Sequence, residues 1–370
     1  VKIRHLWPSR RLEGTPIGVD VGAHSIKVAQ LAGAGTGPAF RLAAVIECAG
    51  DSTSRAASDL RRYLKSRKTP RPWRAVSSLP GPAADVRILS LPAGNPASLP
   101  QRVMAAAEKA LPFGTEDTIL DFCLLGCADE KTERVLLAAA PREVITGHLE
   151  FLRAAGMEPE AVELSPWALT RATRFCGAQS PSAPYGVLDV GHDWSTIIIF
   201  DEQGPFLSRP IRTGSRSLTE RLSEELNLDW PRAEQLKGER GLTLAAQTGR
   251  ADRVDPGGTL VAEILDDLLL PALEPLVTEV ENSLTYFAIE ASGGGLERLL
   301  LVGGGARLRN LDLFLGERLG LAVRALGPEQ AGTPVLPDDV ARLGGWPVLA
   351  TAAGLSLRGR VPEREKRATQ

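Results

Sequence analysis

Two stretches far apart in the chain share one grammar, and that repetition restricts the fold more than any other feature. Tyr185–Phe200 reads YGVLDVGHDWSTIIIF, and Thr15–Leu31 reads TPIGVDVGAHSIKVAQL. Each is an apolar run, then Asp-Val-Gly (Asp20 to Gly22, Asp189 to Gly191), then a short polar break and a second β-rich run. β-Branched residues flanking a Gly-containing break predict a hairpin in each place. Gly22 and Gly191 lack a Cβ, so a ligand can approach the turn backbone closely. Ser25, Ser195 and Thr196 add hydroxyls to the backbone N–H donors, which suits a phosphate. Asp189 at the strand end suits a Mg²⁺ held partly through water. Two such units in separate halves point to an internal duplication, with the turns facing one another around a nucleotide's phosphates.

The remaining features narrow the class. The 370 residues provide for two domains of ordinary size. A net charge of −2 implies no strong attraction to nucleic acid. No apolar stretch is long enough to span a bilayer, and the basic N-terminus has no apolar core of a secretory signal. Cys48, Cys123, Cys127 and Cys176 show neither zinc spacing nor a disulfide framework, which fits reduced thiols and a cytoplasmic location. His24 and His192 occupy similar places in the two turns, without the neighbours a metal pair needs.

In chain order, residues 1–14 read as a flexible lead-in, 15–184 as a first half, 185–357 as a second half and 358–370 as a charged tail. A strand at Phe40–Cys48 follows the first hairpin. A basic helix follows within Asp51–Arg74, and a strand at Ala75–Leu79. Residues 83–156 read strand–helix–strand–strand–helix, an α+β insert. Ser165 and Pro166 suggest an N-cap and first turn of a helix, and 177–184 a linker. After the second hairpin, Gly214–Ser217 leads into a helix whose Ser217 and Glu220 have capping-box spacing. Its N-terminus is a further candidate phosphate contact. Asp229 caps the next helix, where Glu234 and Lys237 share a face. Thr259–Glu290 reads as two helical runs broken at Pro271. The buried strand Leu296–Val302 runs into Gly303, Gly304 and Gly305, where bare backbone can lie against a base or sugar. Val348–Leu357 is a final helix of small residues.

Two Asp-x-Gly hairpins, an acidic–basic helix pair and a late Gly triplet, in this order, resemble the actin, DnaK, FtsA and sugar-kinase superfamily. The chain is most similar to PilM, the cytoplasmic actin-like family of type IV pilus assembly, from Ile17 to Gly359. The more specific matching runs are ALPFGTED and APREVITGHLEFLRAAG, both in the insert. The resemblance implies an α/β, ribonuclease H-like duplicated fold flanking a nucleotide cleft, the insert forming the small subdomain shared by PilM and FtsA. It implies ATP and Mg²⁺ as cofactors. Asp20, Gly22, Ser25 and Lys27 would form the first phosphate turn, and Asp189, Gly191 and Ser195 the second. Glu234, Lys237, Gly303, Gly304 and Gly305 would line the adenosine pocket, with Mg²⁺ between Asp20 and Asp189. The implied partner is the N-terminal peptide of a PilN-like single-pass inner-membrane protein, bound in a groove beside the insert. Self-association is a further implied contact. Nucleic acid is not a partner, and the membrane is met only through partners.

The chain also departs from these relatives. Ser165-Pro166 stands where many have Glu-Pro, and Glu163 is out of step. Asp193 in the second turn would repel a triphosphate by about 4 kcal/mol at ~4 Å and an effective dielectric of ~20, unless a cation offsets it. The expected function is therefore a nucleotide-binding adaptor at the cytoplasmic face of the inner membrane, at most a weak ATPase. The alternatives are an FtsA-like filament or division scaffold, for which the tail lacks an apolar targeting helix, and a small-molecule kinase.

Overall fold

The computed structural model describes residues 15–31, 39–48, 53–79, 81–111, 116–129, 131–178, 183–202, 204–243, 256–291, 294–329 and 336–359. The lead-in at 1–14, the middle of ALPFGTED, residues 179–182 of the linker and all but the first residues of the charged tail lie outside them.

The duplication is visible in the strand order. In the first half, β1 (Ile17–Val21) pairs antiparallel with β2 (Ser25–Leu31), which pairs with β3 (Phe40–Glu47). On its other side β1 runs parallel to β4 (Arg74–Leu79), which is flanked by β8 (Glu158–Leu164), giving the order β3-β2-β1-β4-β8. The second half repeats this with β9 (Tyr185–Val190), β10 (Ser195–Asp201), β11 (Gly204–Ile211), β12 (Arg298–Val302) and β13 (Ala322–Ala325), in the order β11-β10-β9-β12-β13. The registers correspond as well: Val21 faces Ile26 and Val190 faces Ser195, so each hairpin closes over four residues.

Strands β8 and β13 are not evident in the sequence. EPEAVEL carries Pro159 and three glutamates, yet β8 is an edge strand, where a missing N–H breaks no ladder.

Along the chain between β4 and β8 comes a three-stranded antiparallel sheet in the order β5-β7-β6: β5 (Asp85–Pro92), β6 (Thr118–Asp129) and β7 (Thr132–Pro141). Helix α2 (Leu99–Ala110) covers one face, packing Val103 and Ala107 against Leu120, Phe122, Val135 and Leu137. Helix α3 (Arg142–Ala154), read from sequence as part of the insert, instead buries Phe151 and Leu152 in the core of the first sheet. Its partner there is α1 (Thr53–Ser66), the basic helix, through Leu60 and Leu64. The difference arises because α3 puts its apolar C-terminal face towards a larger apolar surface than the small sheet offers.

Two helices lie between the main sheets. Helix α4 (Ser165–Phe175) and the C-terminal helix α10 (Gly345–Ser356) share one core with Ala29 of β2 and with Val187, Ile198 and Leu300 of the second sheet. Nearly every residue of α10 is buried, as expected of a helix apolar all round. Its small residues permit backbone contact on two sides: a Cβ on Gly18 would lie 1.9 Å from the Ala352 carbonyl oxygen, and one on Gly354 would lie 1.9 Å from that of Ala168. Ser165 is the first helical residue of α4 and not its cap; the cap position is Leu164.

The second sheet's outer face carries α5 (Ser215–Glu225), α6 (Trp230–Arg240), α7 (Pro256–Glu290) and α8 (Leu311–Leu319), followed by the short α9 (Asp338–Arg342). Helix α7 is one element of 35 residues with Pro271 and Pro275 inside it, not two runs broken at Pro271. Each proline forfeits a hydrogen bond, but Leu265, Leu269, Leu273, Leu276, Val277 and Val280 form one continuous buried stripe that holds the helix together.

Candidate functional site

The site grows from the ends of β1 and β9. In the first turn the Gly22 N–H donates to the Ser25 carbonyl at 3.1 Å; in the second, the Gly191 N–H donates to the Trp194 carbonyl at 3.0 Å. These N–H groups therefore close their own turns. Across the first hairpin Asp20 lies opposite Lys27, and their charges meet at 3.4 Å. A Cβ on Gly22 would stand 2.8 Å from the Lys27 ammonium, so the glycine leaves room for that side chain to fold over the turn.

The two turns come together. The His24 and His192 rings stack across the gap with centroids 5.0 Å apart and planes 23° from parallel. The carboxylates at the strand ends also feel each other. Burial, joined by the charge of Asp20 and opposed by Lys27, pushes the Asp189 carboxyl up to about 6. Two carboxylates converging beside a single lysine form a donor set suited to a hard divalent cation that takes its remaining ligands from phosphate and water. Among the described residues no cluster of three or more His, Cys, Asp or Glu could hold a metal unaided.

The second turn is braced from behind by α5. The Ser215 N–H donates to the Gly191 carbonyl and the Arg216 N–H to the His192 carbonyl, both at 2.9 Å. Gly214 permits this approach, because a Cβ there would fall 2.1 Å from the His192 carbonyl oxygen. The N-terminal donors of α5, read from sequence as a possible phosphate contact, are thus already used by the turn. The expected capping box is also absent: Ser217 Oγ donates to the Gly214 carbonyl, and Glu220 binds Arg216. Ser195 has its hydroxyl committed as well, donating to the Thr213 carbonyl at 2.6 Å. Arg216 lies 3.5 Å from Asp193, so a cation offsets the acidic residue of this turn.

Glu234 and Lys237 sit on α6, which Asp229 caps as expected by accepting from the Arg232 N–H. The Lys237 ammonium is buried and uses all three protons, on the Ser215 carbonyl, Thr219 Oγ1 and Glu234 Oε2. Burial lowers its pKa against the raising effect of Glu234. For Glu234, burial is outweighed by hydrogen bonds from Lys237 and Thr219, and its carboxyl is held below the usual range. Both charges act on His192, so α6 borders the second turn. The Gly triplet borders it too, but its members differ. A Cβ on Gly303, at φ +85°, would lie 2.3 Å from Asp189 Oδ1. One on Gly305 would lie 2.3 Å from Val190 Cγ1. One on Gly304 would meet nothing within 4 Å. Hence only Gly304 offers open backbone.

Glu163 is buried and held by Arg171 of α4 and by Arg358 after α10, while Arg171 Nε donates to the Gly354 carbonyl at 2.8 Å. It ties three elements together and is not available to orient water. Ser165 lies in the wall of a cavity of about 780 Å³ beside the insert, with Val86 and Ile88 of β5, Val144 of α3, Phe206 of β11 and Tyr286 of α7. The insert reaches the second half here, through Arg134 of β7 and Asp201 of β10 at 2.6 Å. Sequence reasoning also missed His148, whose Nε2 bonds the Ser77 hydroxyl at 2.9 Å while Ser77 donates to the Val19 carbonyl. Burial lowers the His148 pKa, opposed by Asp20, which puts this chain of contacts directly under the first turn.

A family model described as type IV pilus assembly protein PilM matches residues 18–360. Among solved structures, a PilM-PilN type IV pilus biogenesis complex is similar over 95% of this chain and 100% of that one, at 25% identity and a TM-score of 0.76. The ethanolamine utilization protein EutJ from Carboxydothermus hydrogenoformans matches at 15% identity over 94% of this chain and 91% of that one, with a TM-score of 0.52. The MreB5 protein of Spiroplasma citri bound to ADP matches at 12% identity over 93% of this chain and 95% of that one, with a TM-score of 0.51. These last two likenesses bear on the fold, which is that of the actin-like proteins.

Proposed function

The chain belongs to the PilM family of type IV pilus assembly proteins, and from that premise we propose that it is a nucleotide-binding adaptor of a pilus inner-membrane complex, working at the membrane's cytoplasmic face. Among the described residues no helix is long and apolar enough to cross a membrane, which is consistent with recruitment through a partner. The observation that carries the nucleotide reading is the meeting of the two duplicated turns, with Asp20, Lys27 and Asp189 at their bases and His24 against His192 at their tips.

In this reading ATP lies with its phosphates between the turns and its adenosine along Glu234 and Gly304. Asp20 and Asp189 would hold Mg²⁺, which supplies charge neutralisation to the phosphates. Gly303 and Gly305 serve by letting β12 approach β9, and Ser195 and Lys237 by holding the second turn and α6 in place. Phosphoryl transfer to water needs a group that positions the nucleophile. Ser165 and the arginine-bound Glu163 offer no such carboxylate at the start of α4, so turnover is expected to be slow or absent.

The partner is a PilN-like single-pass membrane protein, in keeping with the complex that the structurally similar PilM forms. The apolar cavity beside β5 is the place proposed for its N-terminal peptide, since it is long enough to touch both halves and the insert. Calorimetry with ATP and Mg²⁺ tests the nucleotide reading: saturable binding, weakened in Asp20→Ala and Asp189→Ala, is expected, and no heat at millimolar nucleotide would refute it. Fluorescence anisotropy with N-terminal peptides of PilN-like proteins tests the adaptor. Binding weakened by Val86→Asp is expected, and binding unaffected by that change would move the groove elsewhere.

A further inference from the structure

We propose that His24 and His192, stacked on one another, are a two-ring phosphate clamp that takes up a proton when a phosphoryl group binds beside it. The proposal rests on the nucleotide reading above and adds the residues that receive the phosphate's charge and the proton linkage that follows.

The rings belong to different halves of the molecule and are the contact between the two turn tips, 5.0 Å apart and stacked. Neutral imidazoles tolerate that contact; two imidazolium ions repel each other there. The surroundings of His192 disfavour its charged form. Burial lowers the His192 pKa; Asp193 and Glu234 oppose this, while His24 and Lys237 add to it. Each carboxylate that could compensate a charged ring is already engaged. Asp193 lies 4.0 Å from His192 Nε2 but closer, 3.5 Å, to Arg216 of α5; Glu234 binds Lys237 and Thr219 within the α5–α6 pair, and Asp20 faces Lys27 across the first hairpin. Trp230 of α6 closes the remaining side of His192, edge to face with centroids 6.3 Å apart. A charge on the rings therefore has one near carboxylate, Asp193, which it shares with Arg216, and an anion from outside compensates it further. A phosphoryl group is that anion: it is multiply charged, and a protonated imidazole donates through both ring nitrogens. Among the described residues no third His, Cys, Asp or Glu joins the two rings as a metal ligand.

The linkage has a definite sign. Binding that raises an imidazole pKa takes up protons, so affinity rises as pH falls from the bound towards the free value, up to about tenfold per pH unit for one proton. The test is calorimetry of the full chain with Mg-ATP and, separately, with tripolyphosphate, at pH 6.5 to 8 and in buffers of different ionisation enthalpy. Wild type is compared with the His24→Gln/His192→Gln variant, which cancels the nucleotide's own ionisation. Wild type is expected to take up at least about half a proton more than the variant near pH 7. Its affinity relative to the variant should rise about threefold or more between pH 8 and 6.5. Equal proton counts and parallel curves would overturn the clamp and leave nucleotide binding intact. No binding by wild type would overturn both. Linkage with ATP but none with tripolyphosphate would overturn the assignment to phosphoryl groups. Without any ligand, the His192 ring proton in His24→Gln should titrate at higher pH than in wild type, as a charged neighbour is lost; an unchanged titration would show that the rings do not interact.

Discussion

The Gly303–Gly305 triplet gives a prediction that depends on structure at every step. In sequence the three glycines are equivalent; in space they are not. Alanine at Gly303 must adopt φ +85°, which costs a side-chain-bearing residue about 1–2 kcal/mol. Its Cβ would also fall 2.3 Å from Asp189 Oδ1 and 2.5 Å from the Val190 carbonyl oxygen. Ordinary contact needs roughly 1 Å more, and Val190 belongs to the buried strand β9, so relief requires strand movement at about 1–3 kcal/mol. Gly303→Ala should therefore destabilise the protein by about 2–5 kcal/mol. Gly305→Ala has no φ penalty but meets Val190 Cγ1 at 2.3 Å, and should cost about 1–3 kcal/mol. Gly304→Ala meets nothing and should change stability by less than about 0.5 kcal/mol. Urea unfolding followed by circular dichroism gives the three values under one condition. The reasoning fails if Gly304→Ala is as damaging as Gly303→Ala, or if Gly303→Ala is neutral.

Two further predictions concern buried charge. The Asp189 carboxyl rises from 3.8 unfolded to about 6 in the fold, so its ionised form opposes folding. The sign is that this penalty is absent below about 4, builds between about 4 and 6, and levels off above that at no more than about 3 kcal/mol, less whatever the residual solvent contact of Asp189 screens. Asp189→Asn should consequently be more stable than wild type at pH 7.5, with the gap closing by pH 4. A variant equally or less stable at pH 7.5 would show that the carboxylate is not strained. Glu163→Ala takes the carboxylate from Arg171, whose side chain is 5% exposed, and from Arg358. Loss of one member of such a buried group should cost about 3–5 kcal/mol, while any ATP turnover per folded molecule stays unchanged. Wild-type stability together with lost turnover would instead make Glu163 a catalytic carboxylate.

Much of this protein was legible in its residues alone. Apolar runs around Asp20-Val21-Gly22 and Asp189-Val190-Gly191 dictate two hairpins, because β-branched alternation and a glycine break are local signals, read within a dozen residues. The resemblance built on them led to the family and the duplicated fold. Strand β8 was hidden because an edge position tolerates the polar, proline-bearing EPEAVEL, and α7 stayed whole because distant packing outweighed its prolines.

Tertiary structure alone decided which donors are free. Ser195, Lys237, Glu163 and the first turn of α5 all look available in a list of polar residues, and all are committed to neighbours 8 to 22 positions away or further. It also decided that His24 and His192, 168 positions apart by their numbering, touch. Hairpin formation is governed by neighbours along the chain, whereas the commitment of a hydroxyl, an ammonium or a ring depends on what the folded chain carries to within hydrogen-bonding distance, which no local pattern encodes.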